Sequence, residues 1–309
     1  MDKINVGLKN YNVVIYNLLI ISLFFVISSC LNRKEYNGIG SAGEPSWGAN
    51  NQIAFIYTPY SIINDDTIAV EDSSGLWIIE PDGSKMRLLI VGNYDEPKWS
   101  IDCKWMVCSD QNGQLWKVNI KNKTVLQIPL AIRAWSPNYI SDKQKVIFAT
   151  PDSSQFGRRG IYRITLNENN PQFIFPYGIN PSINSRGDKI VFSGWLFKNG
   201  EWSGGIIEID STGNNPRFIY EVGSNYPPNN AVFSPDDSLI AFDTGTSDPE
   251  IWMIKVDGTN LKKIIDHGRM PSFSPTGQKI VYQRYAGIPR SVKLWIMDND
   301  GSNNYQLTF

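Results

Sequence analysis

Short apolar runs recur along the chain at a nearly constant spacing, each bounded by turn-forming residues, and the pattern predicts strands throughout. Six apolar triplets mark it: Ile53-Ala54-Phe55, Trp105-Met106-Val107, Val146-Ile147-Phe148, Ile190-Val191-Phe192, Ile240-Ala241-Phe242 and Ile280-Val281-Tyr282. Upstream of each stands a large apolar residue that opens a short segment ending in a turn: Trp47, Trp99, Trp135, Ile183, Phe233 and Phe273. Downstream, a third segment centres on Trp77, Trp116, Tyr162, Ile207, Trp252 and Trp295. Six residues later come Gly83, Asn122, Glu168, Gly213, Gly258 and Gly301, and six later again Leu89, Ile128, Ile174, Ile219, Ile264 and Leu307. The glycines and Asn122 predict a hairpin turn with positive φ, and the Asp-Gly pairs suit a type I′ turn.

Each unit thus reads as four short strands. From Trp47 to Phe273 the first slot repeats five times over 226 residues, about 45 residues per unit, which suits a four-stranded blade. The predicted fold is all-β, a six-bladed β-propeller of four-stranded antiparallel blades, which shields its strand edges by closing into a ring. Seven of the ten tryptophans fall in the first or third slot, so they are expected to pack blade on blade and not to hold a cofactor.

The run Phe273-Ser274-Pro275-Thr276-Gly277-Gln278-Lys279-Ile280-Val281-Tyr282, then Leu294-Trp295-Ile296-Met297-Asp298-Asn299-Asp300-Gly301 and Gln306-Leu307-Thr308, resembles the WD-like repeats of the TolB propeller family. The resemblance covers about residues 44–309. Repeats two and three depart from it, with Asp102-Cys103 and Asn138-Tyr139 in place of the Pro-Asp-Gly turn. It implies a form without the α/β domain that precedes the TolB propeller, and a periplasmic module that docks partners on its propeller.

The N-terminus carries Lys3 and Lys9, then an apolar run from Val13 to Ile27, then Ser28-Ser29-Cys30, the layout of an export signal. Ile27-Ser28-Ser29-Cys30 resembles the bacterial lipobox, which makes Cys30 the expected lipid attachment. The domains expected are a lipoprotein signal peptide over 1–29, a tether over 30–43 and a propeller over 44–309. Leu31 stands where inner-membrane lipoproteins often carry aspartate, so the analogy points to the outer membrane, facing the periplasm. The Gly-x-Gly-x-x-Gly run Gly38–Gly43 matches the dinucleotide fingerprint in letters only; with no strand before it and no helix after, it reads as linker. Without residues 1–29 the chain holds 27 basic and 29 acidic residues, a net of −2, and no field to attract nucleic acid. Cys103 and Cys108, five residues apart on an extended segment, are too far apart to bridge and are expected as free thiols.

His267 is the single histidine of the chain, which excludes multi-histidine metal sites, and no Gly-x-Ser-x-Gly elbow is present. No catalytic residues, metal or cofactor are assigned. Two groups of residues remain as binding candidates. At the channel mouth, the residues entering the innermost strands are Glu44, Glu96, Arg133, Asn180, Asn230 and Arg269, with His267 nearby. They suit a polar ligand or a peptide terminus, or simply hydrate a water-filled channel. On the opposite side from the tight turns, longer loops carry Tyr57, Tyr60, Phe156, Arg158, Trp195 and Trp202, with Tyr177, Phe197, Tyr226 and Arg159. Aromatic and arginine residues of this kind serve binding hot spots. The function expected is that of a lipid-anchored, non-enzymatic envelope protein whose loop face binds a protein or peptide partner. The alternative is a glycan-acting or glycan-binding propeller, with Glu44 and Glu96 as its carboxylate pair.

Overall fold

The computed structural model describes residues 40–63, 66–140, 144–151, 158–245, 247–286 and 291–309. The signal segment, Cys30 and Phe156 lie outside the described residues. Residues 40–309 form six antiparallel sheets, each built from consecutive strands and arranged as blades.

Blade 1 contains β1 (Gly40–Trp47), β2 (Ile53–Ile63), β3 (Asp66–Ala69), β4 (Gly75–Ile79) and β5 (Arg87–Val91), with β3 an extra strand on β2. Blade 2 contains β6 (Tyr94–Trp99), β7 (Trp105–Asp110), β8 (Leu115–Asn119) and β9 (Val125–Ile128). Blade 3 contains β10 (Trp135–Tyr139), β11 (Lys145–Thr150), β12 (Gly160–Thr165) and β13 (Gln172–Pro176). Blade 4 contains β14 (Gly178–Ile183), β15 (Lys189–Lys198), β16 (Glu201–Asp210) and β17 (Arg217–Gly223). Blade 5 contains β18 (Asn229–Phe233), β19 (Leu239–Asp243), β20 (Glu250–Lys255) and β21 (Lys262–Asp266). Blade 6 contains β22 (Arg269–Phe273), β23 (Lys279–Ala286), β24 (Ser291–Asp298) and β25 (Tyr305–Gln306).

The expected six four-stranded blades are therefore present. β1 begins at Gly40, inside the segment expected as tether, because Gly40–Gly43 pair with Ile56–Pro59 of β2.

The core lies between blades. One cluster joins Trp47, Phe55 and Trp77 of blade 1 to Val281, Leu294 and Leu307 of blade 6. Five more join each successive pair, among them Leu76 with Met106 and Phe175 with Phe192. Each fully buried side chain of this size contributes about 1.5–3 kcal/mol. The ring thus closes by packing of first blade on last, with no strand exchanged among the described residues. Polar contacts reinforce that seam: Trp47 N–H donates to Ser272 Oγ at 3.0 Å, and the buried Lys293 Nζ donates to Gly40 O at 2.7 Å. Six of the seven slot tryptophans pack between blades, all but Trp135. Trp77 Nε1 donates to Ser73 O and Trp99 Nε1 to Ser46 O of the neighbouring blade, each at 3.0 Å, whereas the buried Trp295 Nε1 has no hydrogen-bond partner.

Three local readings are corrected. In blade 3 the residue in the position of Trp47 is Tyr139, since Tyr139 faces Val146 as Trp47 faces Ile53. The Trp135-Ser136-Pro137 run imitates Phe233-Ser234-Pro235 but sits four residues early. In blade 2 the buried triplet is Met106-Val107-Cys108, because Trp99 faces Met106. The third-to-fourth strand turns are not type I′. Gly83 N–H bonds to Glu80 O at 2.9 Å and Glu80 N–H to Ser84 O at 3.0 Å, with positive φ at Gly83 and not at Pro81 or Asp82. This is a type I turn closed by a glycine bulge. Asp82 and Asp257 each accept the N–H of the residue two positions on, Ser84 and Thr259, at 2.9 Å. Hydrogen bonds from the Ser84 and Thr259 side chains, and then these N–H bonds, hold the two carboxyls below the usual range. Cys103 and Cys108 are free, the first half-buried in a turn and the second buried in β7.

Candidate functional site

Every innermost strand breaks its pairing register once, between Gly43 and Ser46, Asp95 and Lys98, Trp135 and Asn138, Ile179 and Ser182, Asn229 and Val232, and Arg269 and Ser272. Within each break one residue takes positive φ, between 50° and 57°: Glu44, Glu96, Ser136, Asn180, Asn230 and Met270. A β-bulge re-aims the side chain it carries, and these six line one cavity of about 40 Å³ in the channel.

The bulge side chains stitch neighbouring blades together. Glu44 Oε2 accepts the N–H of Glu96 at 2.6 Å, and Glu96 in turn accepts the N–H of Ser136 at 2.5 Å and has its Oε1 2.8 Å from the Ser136 hydroxyl. Ser136 Oγ donates to Asn180 Oδ1 at 2.8 Å, and Asn180 Nδ2 donates to Asn230 Oδ1 at 2.9 Å. Met270 has no acceptor to offer, so the second strands complete the circle. Asp243 Oδ2 of β19 accepts Asn230 Nδ2 at 2.7 Å and Met270 N–H at 2.9 Å, and Gln283 Oε1 of β23 accepts Glu44 N–H at 2.7 Å. Each of the six blade junctions is spanned.

Electrostatically the ring is uneven. Burial, then the neighbouring charge of Glu96, pushes the Glu44 carboxyl up to about 8. Burial also raises Glu96 and Asp243. Lys98, lining the same cavity, has its ammonium destabilised by burial and supported by Glu96 and Glu44. Sequence reasoning passed over Lys98, although it lies two residues beyond Glu96.

The ring thus contains Glu44, Glu96, Asn180 and Asn230 as expected and excludes three residues that were placed there. Arg133 is exposed ahead of β10, and Ser136 takes its place. Arg269 lies one residue before the bulge and faces Gln283, so Met270 occupies the ring. His267 stands outside it, against Asp248 and beside a small cleft shared with Arg269 and Arg284.

The loop face divides more sharply. Tyr57 is no loop residue: it lies in β2, 2% exposed, its ring 5.2 Å from that of Trp77. Tyr60, also on β2, faces Ala69 of the extra strand. Arg158 is exposed and lays its guanidinium 6.0 Å from the Phe173 ring centroid. Blade 4 differs from these. β15 and β16 remain paired out to Lys198 and Glu201, around Asn199-Gly200. On this hairpin Phe197 faces Trp202, ring centroids 5.4 Å apart, and Tyr177 meets Trp202 edge-on at 5.0 Å. All three are exposed, at 62%, 47% and 46% for Phe197, Trp202 and Tyr177. Beside them runs an open groove lined by Arg159, Tyr177, Ser193, Trp195, Asn225 and Tyr226, with Ser193 Oγ buried and without a hydrogen-bond partner.

No family model matches the chain. A curated but uncharacterized protein of Agrobacterium fabrum is 25% identical over 229 residues, covering 68% of this chain and 74% of that one. Among solved structures, TolB from Acinetobacter baumannii superposes with a TM-score of 0.62 at 15% identity, over 87% of this chain and 79% of that one. Oligogalacturonate lyase from Vibrio parahaemolyticus gives 0.55 at 12% identity, over 88% and 79%. The protein is a six-bladed β-propeller. Its fold is the TolB-like one, shared by a lyase, and fold alone leaves function to the sites.

Proposed function

We propose that this is an exported, non-enzymatic protein of the cell envelope, held to the outer membrane by lipid on Cys30 and facing the periplasm, whose loop face binds a protein or peptide partner. The observation that carries the reading is the exposed Tyr177–Phe197–Trp202 cluster on the blade 4 hairpin. Large aromatic groups left in water beside a groove are the anchors that partner surfaces use. The channel supports the reading from the other side, since its polar groups are occupied with one another.

The glycan-acting alternative draws on the same aromatic residues and on Glu44 and Glu96. Both carboxylates already accept hydrogen bonds from the neighbouring blade, which leaves them poorly placed to serve as a mobile acid and base. A photoreactive residue placed at Trp202 in intact cells tests the proposal. The expected result is one reproducible crosslinked partner, absent when the residue is moved to Lys121 on the tight-turn side. Equal crosslinking from both positions, or none from Trp202, would sink it.

A further inference from the structure

We infer that the occupant of the blade 4 groove is an extended peptide segment of the partner, bearing at least one carboxylate, which adds as a strand along the inner edge of β15 and sets the carboxylate against Arg159. This deepens the partner-binding reading and rests on it.

Backbone pairing is the first ground. β14 accompanies β15 only as far as Gly178 opposite Gly194, and β17 leaves β16 at Gly223 opposite Gly204. The hairpin continues for four more pairs, from Trp195 with Gly204 to Lys198 with Glu201. Among the described residues no strand flanks β15 along those four pairs, and none flanks β16 beyond Gly204. Asn199 and Gly200 both take positive φ, at 55° and 89°, so they form a two-residue type I′ turn. In that geometry Lys198 and Glu201 exchange both hydrogen bonds with each other. Phe197 then directs its N–H and C=O to the inner edge, and Trp202 directs its own to the outer edge. Proteins normally blunt such edges with charge, proline or a bulge. Here the edge carries Phe197 and Trp202.

A second extended backbone matches that edge, because it alone repeats an N–H and a C=O on one side every second residue. Sugar hydroxyls have no such repeat. Charge is the second ground: Arg159 is exposed and, among the described residues, is the one cation that lines the groove, which no described aspartate or glutamate lines. A guanidinium in that position favours a carboxylate on the incoming segment. Ser193, whose hydroxyl has no partner, can hydrogen-bond to the segment, and Trp195 and Tyr226 flank its side chains.

The test selects random short peptides on the immobilised full chain and measures their binding by fluorescence anisotropy. Selected peptides are expected to share an acidic residue and to bind at least tenfold more weakly to Arg159→Ala and to the Phe197→Ala/Trp202→Ala pair. The decisive arm leaves the protein unaltered and N-methylates the peptide backbone one residue at a time. Strand addition loses at least tenfold in affinity at alternate positions and little at those between. Loss without alternation, or peptides that keep their affinity for the hairpin variants, overturns the strand site while the partner reading stands on the crosslinking result. Selection of no peptide also overturns it, and partner crosslinking from Trp202 then points to recognition of a folded surface.

Discussion

The channel ring and the blade 4 hairpin are built from residues that both suggest binding, yet they are opposite in what they leave available. In the ring, Glu44, Glu96, Ser136, Asn180 and Asn230 look like a ligand site, and nearly every donor and acceptor is taken up by the next blade. On the hairpin, Phe197 and Trp202 contact each other and Tyr177 but remain largely in water. Polar side chains in a channel can be structural, and apolar side chains on a loop can be functional. What decides is whether the interactions a group can make are already satisfied.

If the ring is structural, breaking it should destabilise the protein more than any change at the loop face. Asp243 is the sharpest point, 1% exposed, with one oxygen accepting from Asn230 and Met270 and the other from Gly245 at 2.9 Å. Asp243→Ala strands three donors at once and is expected to cost about 3–5 kcal/mol. Urea unfolding followed by tryptophan fluorescence measures it. A loss under about 1 kcal/mol would mean that the ring is ornament and that its polar groups are open to a ligand.

Glu44 gives a smaller effect with a distinctive sign. The folded protein holds its proton to about pH 8, while the unfolded chain releases it in the usual carboxylate range. The folded state therefore binds more protons between these limits, and stability falls as pH rises through them. Stabilisation from the bound proton is complete below the usual range and gone above about 8. Glu44→Gln keeps a carbonyl for the Glu96 N–H and removes the titration. The variant should match the parent at pH 5 and exceed it by about 1–3 kcal/mol at pH 8.5, read as the pH dependence of Tm. Parallel curves for the two proteins would contradict the buried-carboxyl account.

At the seam the expected effect is smaller still. Lys293→Met removes the donor to Gly40 O and also relieves an ammonium that burial disfavours. These oppose each other, and a net loss of about 1 kcal/mol is expected, measured by the same urea titration. A loss as large as that of Asp243→Ala would show that this single contact, and not the apolar packing of blades 1 and 6, closes the ring.

Most of the fold was legible because strand packing repeats. The same apolar slots recur in every blade, as at Leu89, Ile128, Ile219 and Leu307. Legibility failed where a local sequence imitated the repeat: Trp135-Ser136-Pro137 copies a turn-opening motif but serves as an inner strand, which displaced the ring residue to Arg133. Four ring members could be read because a polar residue stands three positions before the first slot. Met270 gave no polar signal at that place, and its substitutes Asp243 and Gln283 come from second strands that no inner-strand pattern would reveal. At the groove the loop aromatics were legible by composition, whereas Tyr57 was misplaced because β2 runs on to Ile63. Ser193 had no signal at all, since its interest lies in a hydroxyl without a partner inside an otherwise ordinary strand.

The least effect on stability is expected where the greatest effect on recognition is proposed. Phe197 and Trp202 lie beyond the last residues of β14 and β17 that pair with their hairpin, and neither belongs to an inter-blade cluster. Replacing both with alanine should leave unfolding within about 0.5 kcal/mol of the parent, as for surface changes away from packing or buried polar groups. The two-residue turn and the Lys198–Glu201 pair keep the hairpin itself in place. A Tm within about 1 °C of the parent, together with loss of the crosslinked partner, would separate the two regions cleanly. A marked drop in Tm would instead show that the aromatic cluster supports the fold like the slot tryptophans, and the hairpin would lose its standing as a docking edge.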